Sequence, residues 1–510
     1  MLGNPNNWIF DKEGLLVSDT EFAYYFSSGD SRLFLLIPQN EAAGKTICSE
    51  EISEKIRGKL KKETDASRNS KVLAEYWKNQ KTHVSALNLN LTDRCNLDCI
   101  YCYAKGGNYS RLKGDMTREI ARWGLKTAFG MSDPERDFRI EFFGGEPLLN
   151  LPAIEELLDW QKSDPAWNNF PKGTVNRIST NLSTDDENAI RLLHEGKIIV
   201  SVSLDGDAPI QDLQRPFKDG RGSFSTIHEN LLKLRKIYPD AVMVGRMTVY
   251  KGDDRLVEMV EKLVQKDIFD YFSIYPAAVQ DDEKKGSSHF SPTFKNQFLS
   301  LADHYLRWCG KGRFKGILEV NRYCESIVTG KTVLNHCRGG AGYFTLSPDK
   351  SVHPCHRLVG DTGWDLGPFD WAPGDSSERL KPWQTHVEDR KACSNCSLRF
   401  LCGGGCKQQQ FISTGNLLGN DPRVCAFSRL LFEAALRVIK PLLLDNFENS
   451  DRKEKYREVL KKSFGELTRM FVFCGQPVTP NGRITIAPPA TIEIGSGVFR
   501  VKTLDWSARN

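Results

Sequence analysis

The chain has 510 residues, of which 40% are hydrophobic and 26% are charged, and its formal net charge is +5. This length predicts about three domains, and the small charge gives no reason to expect a nucleic-acid partner. Neither an apolar run of about eighteen residues nor a signal-peptide pattern is present, so a cytoplasmic protein without a membrane partner is expected. Fourteen cysteines in such a chain indicate metal ligands kept reduced, not a disulfide framework.

The first 85 residues combine strand-like runs with a charged helical segment. Apolar runs at 8–10 and 15–17 flank a turn, a third run covers 33–38, and a charged segment covers 50–63. This order predicts a hairpin, a strand and a helix.

Six strand-like runs then alternate with helix-period segments, which is the pattern of a parallel sheet built from βα units. Thr184 with Glu187 predicts a capping box for the helix that ends near Gly196. Six parallel units predict an α/β partial barrel, in which ligands bind at the carboxyl ends of the strands. The predicted strands cover residues 86–91, 139–143, 175–180, 198–204, 241–249 and 271–275.

Three cysteines follow the first of these strands. Cys95, Cys99 and Cys102 are separated by three and by two residues. A four-iron cluster normally takes four thiolates, so a loop that offers three leaves one iron free for an outside ligand. A zinc site or a chance grouping is the alternative, but zinc usually takes a closed set of four ligands.

Polar or glycine-rich segments follow the next three strands. In Gly144-Gly145-Glu146-Pro147 the glycines allow the backbone to approach a small ligand, and the carboxylate can accept from an ammonium group. Hydroxyl, amide and guanidinium donors follow at 179–181, 203–206 and 211–215. Ordinary turn or capping chemistry is the alternative for each segment taken alone.

A second group of cysteines lies between residues 393 and 425, with Cys337 and Cys355 before it. Its spacing is too dense for packing alone, although a zinc ribbon stays open as an alternative. Three glycines at 403–405 predict a backbone that wraps tightly between two ligands. The members of the group are Cys393, Cys396, Cys402, Cys406 and Cys425.

In their order along the chain these motifs resemble the radical S-adenosylmethionine (radical SAM) superfamily and its cysteine-rich SPASM extension. The resemblance covers about residues 86 to 430. It implies a partial (β/α)6 barrel followed by a SPASM iron-sulfur domain, with small α+β regions at both ends. Its implied divisions are 1–85, 86–310, 311–430 and 431–510.

The resemblance also implies the cofactors, which are S-adenosylmethionine and three 4Fe-4S clusters. The first cluster takes Cys95, Cys99 and Cys102, one auxiliary cluster takes Cys393, Cys396, Cys402 and Cys425, and the other takes Cys337, Cys355 and Cys406. For this last cluster Cys324 is a candidate fourth ligand; an open position, with Cys324 as a buried inert thiol, is the alternative. The implied S-adenosylmethionine contacts are Tyr101 beside the adenine, Gly144, Gly145 and Glu146 at the amine, Ser179 and Asn181 at the ribose, Ser203 and Asp205 in the fourth-strand element, and Arg215 at the carboxylate.

The implied activity is that of a maturase for a ribosomally made precursor peptide or protein. A 5′-deoxyadenosyl radical takes a hydrogen from the peptide, and a thioether, carbon-carbon or ether cross-link closes within it. The alternatives are formylglycine formation in a sulfatase, oxidation of a small molecule, and a non-catalytic iron-sulfur carrier or scaffold. A flavodoxin or ferredoxin is expected as the reductant, and no catalytic base is singled out.

Three features outside these motifs complete the expectations. Residues 1–85 suit either a leader-peptide recognition domain or a lid. Residues 427–444 and 453–470 predict helices, and 483–503 carries strand signals without evident chemistry. Lys350 stands where the family often has glycine, which puts the geometry of that turn in doubt.

Overall fold

The structure, a computed structural model, describes residues 8–10, 14–18, 23–27, 33–39, 83–106, 114–164, 167, 171, 173–250, 253–277, 291–309, 311–368, 379–443, 450–470, 483–486, 490–494 and 497–507. Its strands are β1 (Trp8–Phe10), β2 (Gly14–Ser18), β3 (Ala23–Ser27), β4 (Leu33–Pro38), β5 (Ala86–Asn90), β6 (Arg139–Phe143), β7 (Val175–Thr180), β8 (Ile199–Ser203), β9 (Met243–Val249), β10 (Tyr271–Pro276), β11 (Gly316–Ile317), β12 (Tyr343–Leu346), β13 (Val352–His353), β14 (Arg483–Ile486), β15 (Ala490–Ile494) and β16 (Gly497–Ser507).

The main sheet has the order β11-β10-β9-β8-β7-β6-β5-β12-β13. The six predicted strands are confirmed as β5 to β10, each neighbour pairing in parallel. The sheet does not stop at β5, because β12 adds to it in parallel with Thr345 opposite Asn88, and β13 follows antiparallel. The second cysteine region is therefore joined to the barrel through its backbone.

Alternation along each strand separates an apolar outer face from a polar inner face. In β5, Leu87 and Leu89 belong to the main hydrophobic core, while Asn88 and Asn90 are buried on the opposite face. Helices between these strands pack into this core, and the described residues form thirteen α-helices in all. They are α1 (Arg118–Gly130), α2 (Leu151–Ser163), α3 (Glu187–Glu195), α4 (Ala208–Gln214), α5 (Phe224–Ile237), α6 (Leu256–Gln265), α7 (Pro292–Trp308), α8 (Leu318–Thr329), α9 (Lys381–Gln384), α10 (Arg399–Cys402), α11 (Lys407–Thr414), α12 (Pro422–Leu443) and α13 (Ser450–Met470).

The predicted capping box at the start of α3 is wrong. The N-cap is Asp186, whose side chain accepts from the backbone N of Asn188 at 2.8 Å. Thr184 instead accepts from the backbone N of Asp186 at 3.1 Å, so it shapes the turn before the helix.

The two ends of the chain share one antiparallel sheet. Strand β16 pairs with β4, with Thr503 opposite Phe34, so the last strand extends the sheet of the first four. Phe26 of this sheet packs edge-on against Phe432 of α12 at 5.4 Å between ring centroids. The helix predicted at 50–63 lies outside the described residues.

The predicted C-terminal helices are present as α12 and α13. Glu466 of α13 accepts from the hydroxyl of Tyr271 at 2.5 Å and from Nζ of Lys315 at 2.7 Å. Because Tyr271 begins β10, α13 lies against the end of the sheet opposite the cysteine loop. Within the described part of the chain, no helix has the length and apolar character needed to cross a membrane.

Candidate active site

The three-cysteine loop lies at the carboxyl end of β5. Its thiols interact electrostatically, Cys99 with both Cys95 and Cys102. Burial raises the pKa of Cys95 to about 12, with a further contribution from the charge of Glu146, and burial also raises the pKa of Cys99. These thiols become ligands only as thiolates, so bound metal must supply the free energy that deprotonates them.

Contacts from distant strand ends hold this loop in place. Asn96 donates to the carbonyl of Ser183 at 3.1 Å, and Asn181 donates to the side-chain oxygen of Asn96 at 2.9 Å. The side-chain amide of Asn181 also reaches Sγ of Cys95 at 3.8 Å. The predicted residue Asn181 thus supports the loop from the end of β7.

The two glycines after β6 lie directly beneath the cysteine loop. Gly144 has φ +146°, and a Cβ there would stand 2.4 Å from the carbonyl oxygen of Thr92. A Cβ on Gly145 would stand 2.2 Å from the carbonyl oxygen of Arg94. Only glycine lets the two backbones approach this closely, which fits the predicted backbone contact with a small ligand.

Glu146 is buried under the same loop. Its carboxylate accepts from Oγ1 of Thr180 at 2.5 Å, from the backbone N of Asn181 at 2.6 Å and from the backbone N of Leu148 at 3.1 Å. Burial raises the pKa of Glu146 to about 7 against the effect of these donors. In this structure the carboxylate therefore ties β6 to β7, and its predicted contact with a ligand amine stays a prediction.

Three other predicted contact residues form one buried network. The hydroxyl of Tyr101 donates to Asp205, and Nη1 of Arg215 donates to the same hydroxyl at 2.8 Å. Asp205 also accepts from Nε2 of Gln214 at 3.2 Å and from the backbone N of Thr248 at 2.9 Å. Burial raises the pKa of Asp205, while the charge of Arg215 opposes the shift. The network fixes Arg215 beside Cys99, where it is placed to receive an anionic group.

The remaining two predicted contacts lie on the inner face of the sheet. Ser179 donates to Oε1 of Glu141 at 2.8 Å and accepts from Nη1 of Arg246 at 3.4 Å. Ser203 is paired in register with Arg246. The charged inner-face residues were missed in the sequence, although alternation along β6, β7 and β9 places them opposite the core residues.

The later cysteines form two groups. Cys425 interacts electrostatically with Cys393, Cys396 and Cys402, and burial raises its pKa to about 12. Cys355 interacts instead with Cys337 and Cys406. The structure therefore brings together the same two sets that the resemblance implied, and their roles as cluster ligands stay predictions.

Cys324 lies apart from the second set. It is buried in α8, donates to the carbonyl of Ala435 at 3.8 Å and interacts with Cys309. This placement agrees with the alternative of an inert core thiol.

The donor sets fit iron-sulfur clusters. Among the described residues no three His, Cys, Asp or Glu side chains converge as ligands of a single metal ion. In a four-iron cluster each iron takes its own thiolate, so the ligands stand further apart. Gly403, Gly404 and Gly405 have φ of +67°, +84° and +72°, so the backbone between Cys402 and Cys406 takes a path that glycine favours.

Comparisons with known proteins agree with this geometry. The Radical SAM superfamily model matches residues 89–265. The cysteine-type anaerobic sulfatase-maturating enzyme of Clostridium novyi is 26% identical over 358 residues, which is 67% of this chain and 92% of the relative. The sporulation killing factor maturation protein SkfB of Bacillus subtilis is 29% identical over 272 residues, or 50% of this chain and 62% of the relative.

A solved structure of native anSMEcpe with bound AdoMet and Cp18Cys peptide shares the fold. It has a TM-score of 0.57 and 24% identity, and the match covers 70% of this chain and 98% of that one. The sulfatase-maturating relative is an enzyme, which argues against the alternative of a non-catalytic carrier. Residues 89–265 therefore form a radical SAM domain, and the chain is an enzyme in which a SPASM-type cysteine-rich region follows the barrel.

Proposed function

We propose that this enzyme is a peptide maturase that closes a cross-link within a ribosomally made peptide. The observation that carries the proposal is the place of the second cysteine region at the mouth of the barrel. Strand β12 pairs with β5, and β13 leads to Cys355. The next residue, His356, lies 4.8 Å from Phe143 between ring centroids, beside the glycine loop. Cys355 would thus hold an electron acceptor near the glycine loop, where we infer that the substrate carbon loses hydrogen.

Each part of the chain has a distinct task in this reaction. When bound, S-adenosylmethionine and the cluster of Cys95, Cys99 and Cys102 supply a 5′-deoxyadenosyl radical. Gly144 and Gly145 bring backbone to the ligand, and Tyr101 with Asp205 orients Arg215 toward its carboxylate. The buried inner face keeps water away from the reacting carbon.

A cross-linking reaction needs an electron acceptor, and we assign that role to the second cysteine region. Closing one bond within the peptide removes one hydrogen atom, one proton and one electron. We assign the electron to the group of Cys337, Cys355 and Cys406, and a second auxiliary cluster to Cys393, Cys396, Cys402 and Cys425, which makes three four-iron clusters in all. A flavodoxin or ferredoxin then supplies the low-potential electron that starts each turnover.

Formylglycine formation in a sulfatase is the second candidate. The observation that favours it is the extent of similarity to the sulfatase-maturating relative, which spans two thirds of the chain. Both candidates use a peptide substrate and the same cysteine groups, so the product distinguishes them.

The test is the intact mass of a short peptide encoded beside this gene, co-expressed anaerobically with the enzyme. The control enzyme carries Cys95, Cys99 and Cys102 all changed to alanine, with its auxiliary iron measured to show that it folds. Loss of a pair of hydrogens from the peptide only with the intact enzyme supports the cross-link, and fragmentation locates the bond. In a parallel arm, the enzyme is given a sulfatase-derived peptide. If a cysteine or serine of that peptide becomes an aldehyde while the peptide encoded beside the gene stays unchanged, the proposal of a cross-link is wrong and formylglycine formation is the function.

A further inference from the structure

The inner face of the barrel carries arginines to which no contact with a cofactor is assigned. Arg139 and Glu141 lie on β6, Arg177 lies on β7 and Arg246 lies on β9, all at positions that alternate with core residues. Nε of Arg177 stands 3.5 Å from Oε2 of Glu141, and Nε of Arg139 stands 3.7 Å from the same oxygen. One carboxylate therefore receives two guanidinium groups, and Arg246 joins them through Ser179 at 3.4 Å.

The charges on this face do not balance. Helix α8 adds Glu319, which accepts from Ser273 at 2.7 Å, and Arg322, which interacts with Tyr275. Arg139, Arg177 and Arg246 thus outnumber Glu141 and Glu319. Arg322 and Arg357 also border this face, but they interact with cysteines of the second region, Arg322 with Cys337 and Arg357 with Cys355 and Cys406. Burial lowers the pKa of Arg177 to about 10, and the charges of Arg139 and Arg246 lower it further against Glu141. An unbalanced buried charge is costly, so an anion bound here is strongly favoured.

Polar groups without a protein partner lie on the same face. Asn90 is fully buried, and neither its amide nitrogen nor its amide oxygen has a hydrogen-bond partner. The amide oxygen of Asn88, one step further down β5 and in register with Glu141, is also without a partner. Buried amides are normally satisfied. Asn90 borders Gly144, where S-adenosylmethionine is assigned, so it is Asn88, opposite Glu141, that points to a further polar ligand between the strands.

The face is open to such a ligand. Tyr275 points inward from the end of β10, yet its exposed fraction is 39%. The exposed fractions of the Arg139 and Arg177 side chains are only 13% and 9%, so water screens their charges little. Arg215, which we assign to the carboxylate of S-adenosylmethionine, lies at the cysteine loop beside Cys99 and leaves the inner-face arginines to another anion.

We infer that the inner face binds an acidic residue of the substrate peptide, with its carboxylate held by Arg139, Arg177 and Arg246. This inference rests on the proposed function, because it names a feature of the peptide that the site accepts. Guanidinium groups bind carboxylates with two hydrogen bonds, so the acidic residue sets the register of the peptide and selects which neighbouring carbon meets the radical.

The test is binding without turnover, measured by titration calorimetry on the reconstituted enzyme with S-adenosylmethionine and no reductant. The probes are two peptides with blocked ends, acetyl-Gly-Ala-Glu-Ala-Gly-amide and its glutamine twin, so that the side chain carries the only carboxylate. We expect the glutamate peptide to bind about tenfold more tightly. This ratio should fall close to one in Arg177→Gln and in Arg246→Gln.

Arg191→Gln is the matched control, because Arg191 is exposed on α3 and pairs with Glu195 at 2.9 Å. It should keep the tenfold ratio. Iron content shows whether each variant folds. If Arg177→Gln loses its iron, the inference is tested with Arg246→Gln and Arg246→Lys instead. Arg246→Lys keeps the charge, so its ratio of the two affinities should stay above one.

Equal binding of the two probes to the unmodified enzyme, or an unchanged ratio in the arginine variants, would overturn the inference. The assay involves no chemistry, so its result is separate from the proposed function. If the probes bind equally while the co-expressed peptide is cross-linked, only the acidic-residue inference fails. If the ratio holds and no peptide is modified, the peptide-binding face stands and the proposed cross-linking fails.

Discussion

The two cysteine regions differ in how much of their support comes from distant side chains. The loop of Cys95, Cys99 and Cys102 is supported by side chains from distant strand ends, such as Asn181 and Glu146. The region around Cys393 to Cys406 is held mainly by short-range turns and by the left-handed glycines 403–405. Two distant backbone bonds add to these, from the N of Val333 to the carbonyl of Phe400 and from the N of His336 to the carbonyl of Gly403. Damage to the first loop is therefore expected from changes far away in sequence, whereas damage to the second is expected from local backbone changes.

The largest effect is expected from Glu146→Ala. The substitution leaves Thr180 and the backbone N–H groups of Leu148 and Asn181 without their acceptor in a buried place. Unpaired buried donors cost about 1 to 3 kcal/mol each, so a loss of about 3 kcal/mol or more in the free energy of unfolding is expected. Denaturant unfolding measures the loss, and iron analysis should show that the first cluster is lost before the others.

Glu195→Ala is the control for this change, because Glu195 pairs with Arg191 on an exposed helix face. Its effect should stay within about 0.5 kcal/mol. If Glu146→Ala is as mild as the control, the carboxylate does not support the loop, and the contrast between the two regions fails.

Next in size is Gly404→Ala, in the local region. Gly404 has φ +84°, and a Cβ there would stand 2.2 Å from Nη1 of Arg390, which donates to the carbonyl of Gly404. Backbone strain and the displaced arginine together predict a loss of about 2 to 3 kcal/mol. Iron bound by the auxiliary groups should fall while the first cluster keeps its spectrum.

Gly415→Ala provides the matched control, since Gly415 has a similar φ of +71° with no atom within 4 Å of its added Cβ. It carries the backbone strain alone, about 1 kcal/mol, and should keep all its iron. Equal losses in the two variants would mean that the contact with Arg390 adds nothing.

A smaller effect is expected from Asn181→Ala. The variant loses the bond to Asn96 and the N–H contact with Sγ of Cys95. The expected cost is about 1 kcal/mol in unfolding, and the first cluster should become harder to reduce because a donor to its sulfur is gone. A redox titration followed by electron paramagnetic resonance measures this, with the auxiliary clusters as internal reference. An unchanged potential would show that Asn181 supports the loop without tuning it.

The sequence predicts the local parts of this structure better than the distant pairings. The strands β5 to β10 agree with prediction to within two residues, because apolar alternation and length identify buried strands. The pairing of β12 with β5 was not predicted, because it joins residues about 250 positions apart and the sequence of neither strand identifies the strand with which it pairs. The pairing of β16 with β4 was missed for the same reason.

The site shows the same division. Cysteine spacing identifies the three groups, whereas the ion pairs of Glu141 with Arg139 and Arg177 depend on how the strands are brought side by side. At the start of α3, Thr184 and Asp186 are both acceptable N-caps two residues apart, and spacing alone does not choose between them. A local contact can be predicted from the sequence when only one residue of the segment is able to make it.

The smallest effect concerns Lys350, in the tight turn between β12 and β13. Lys350 has φ +69°, its backbone N donates to the carbonyl of Ser347 at 3.0 Å, and its Nζ lies 5.5 Å from the ring centroid of Trp123. The turn that the substitution of the usual glycine put in doubt is thus formed, with lysine in the left-handed region. This conformation lowers the free energy of unfolding by about 1 kcal/mol, and the contact with Trp123 offsets about 0.5 kcal/mol of that loss.

Two variants separate these opposing terms. Lys350→Gly removes the strain and the ring contact together, so the free energy of unfolding should rise by about 0.5 kcal/mol. Lys350→Ala keeps the strain and loses the contact, so it should fall by about 0.5 kcal/mol. Denaturant unfolding resolves the difference of about 1 kcal/mol between the pair, and iron content should not change in either. If the two variants are equally stable, the left-handed backbone carries no cost here, and the preference for glycine in the turn has a cause other than conformation.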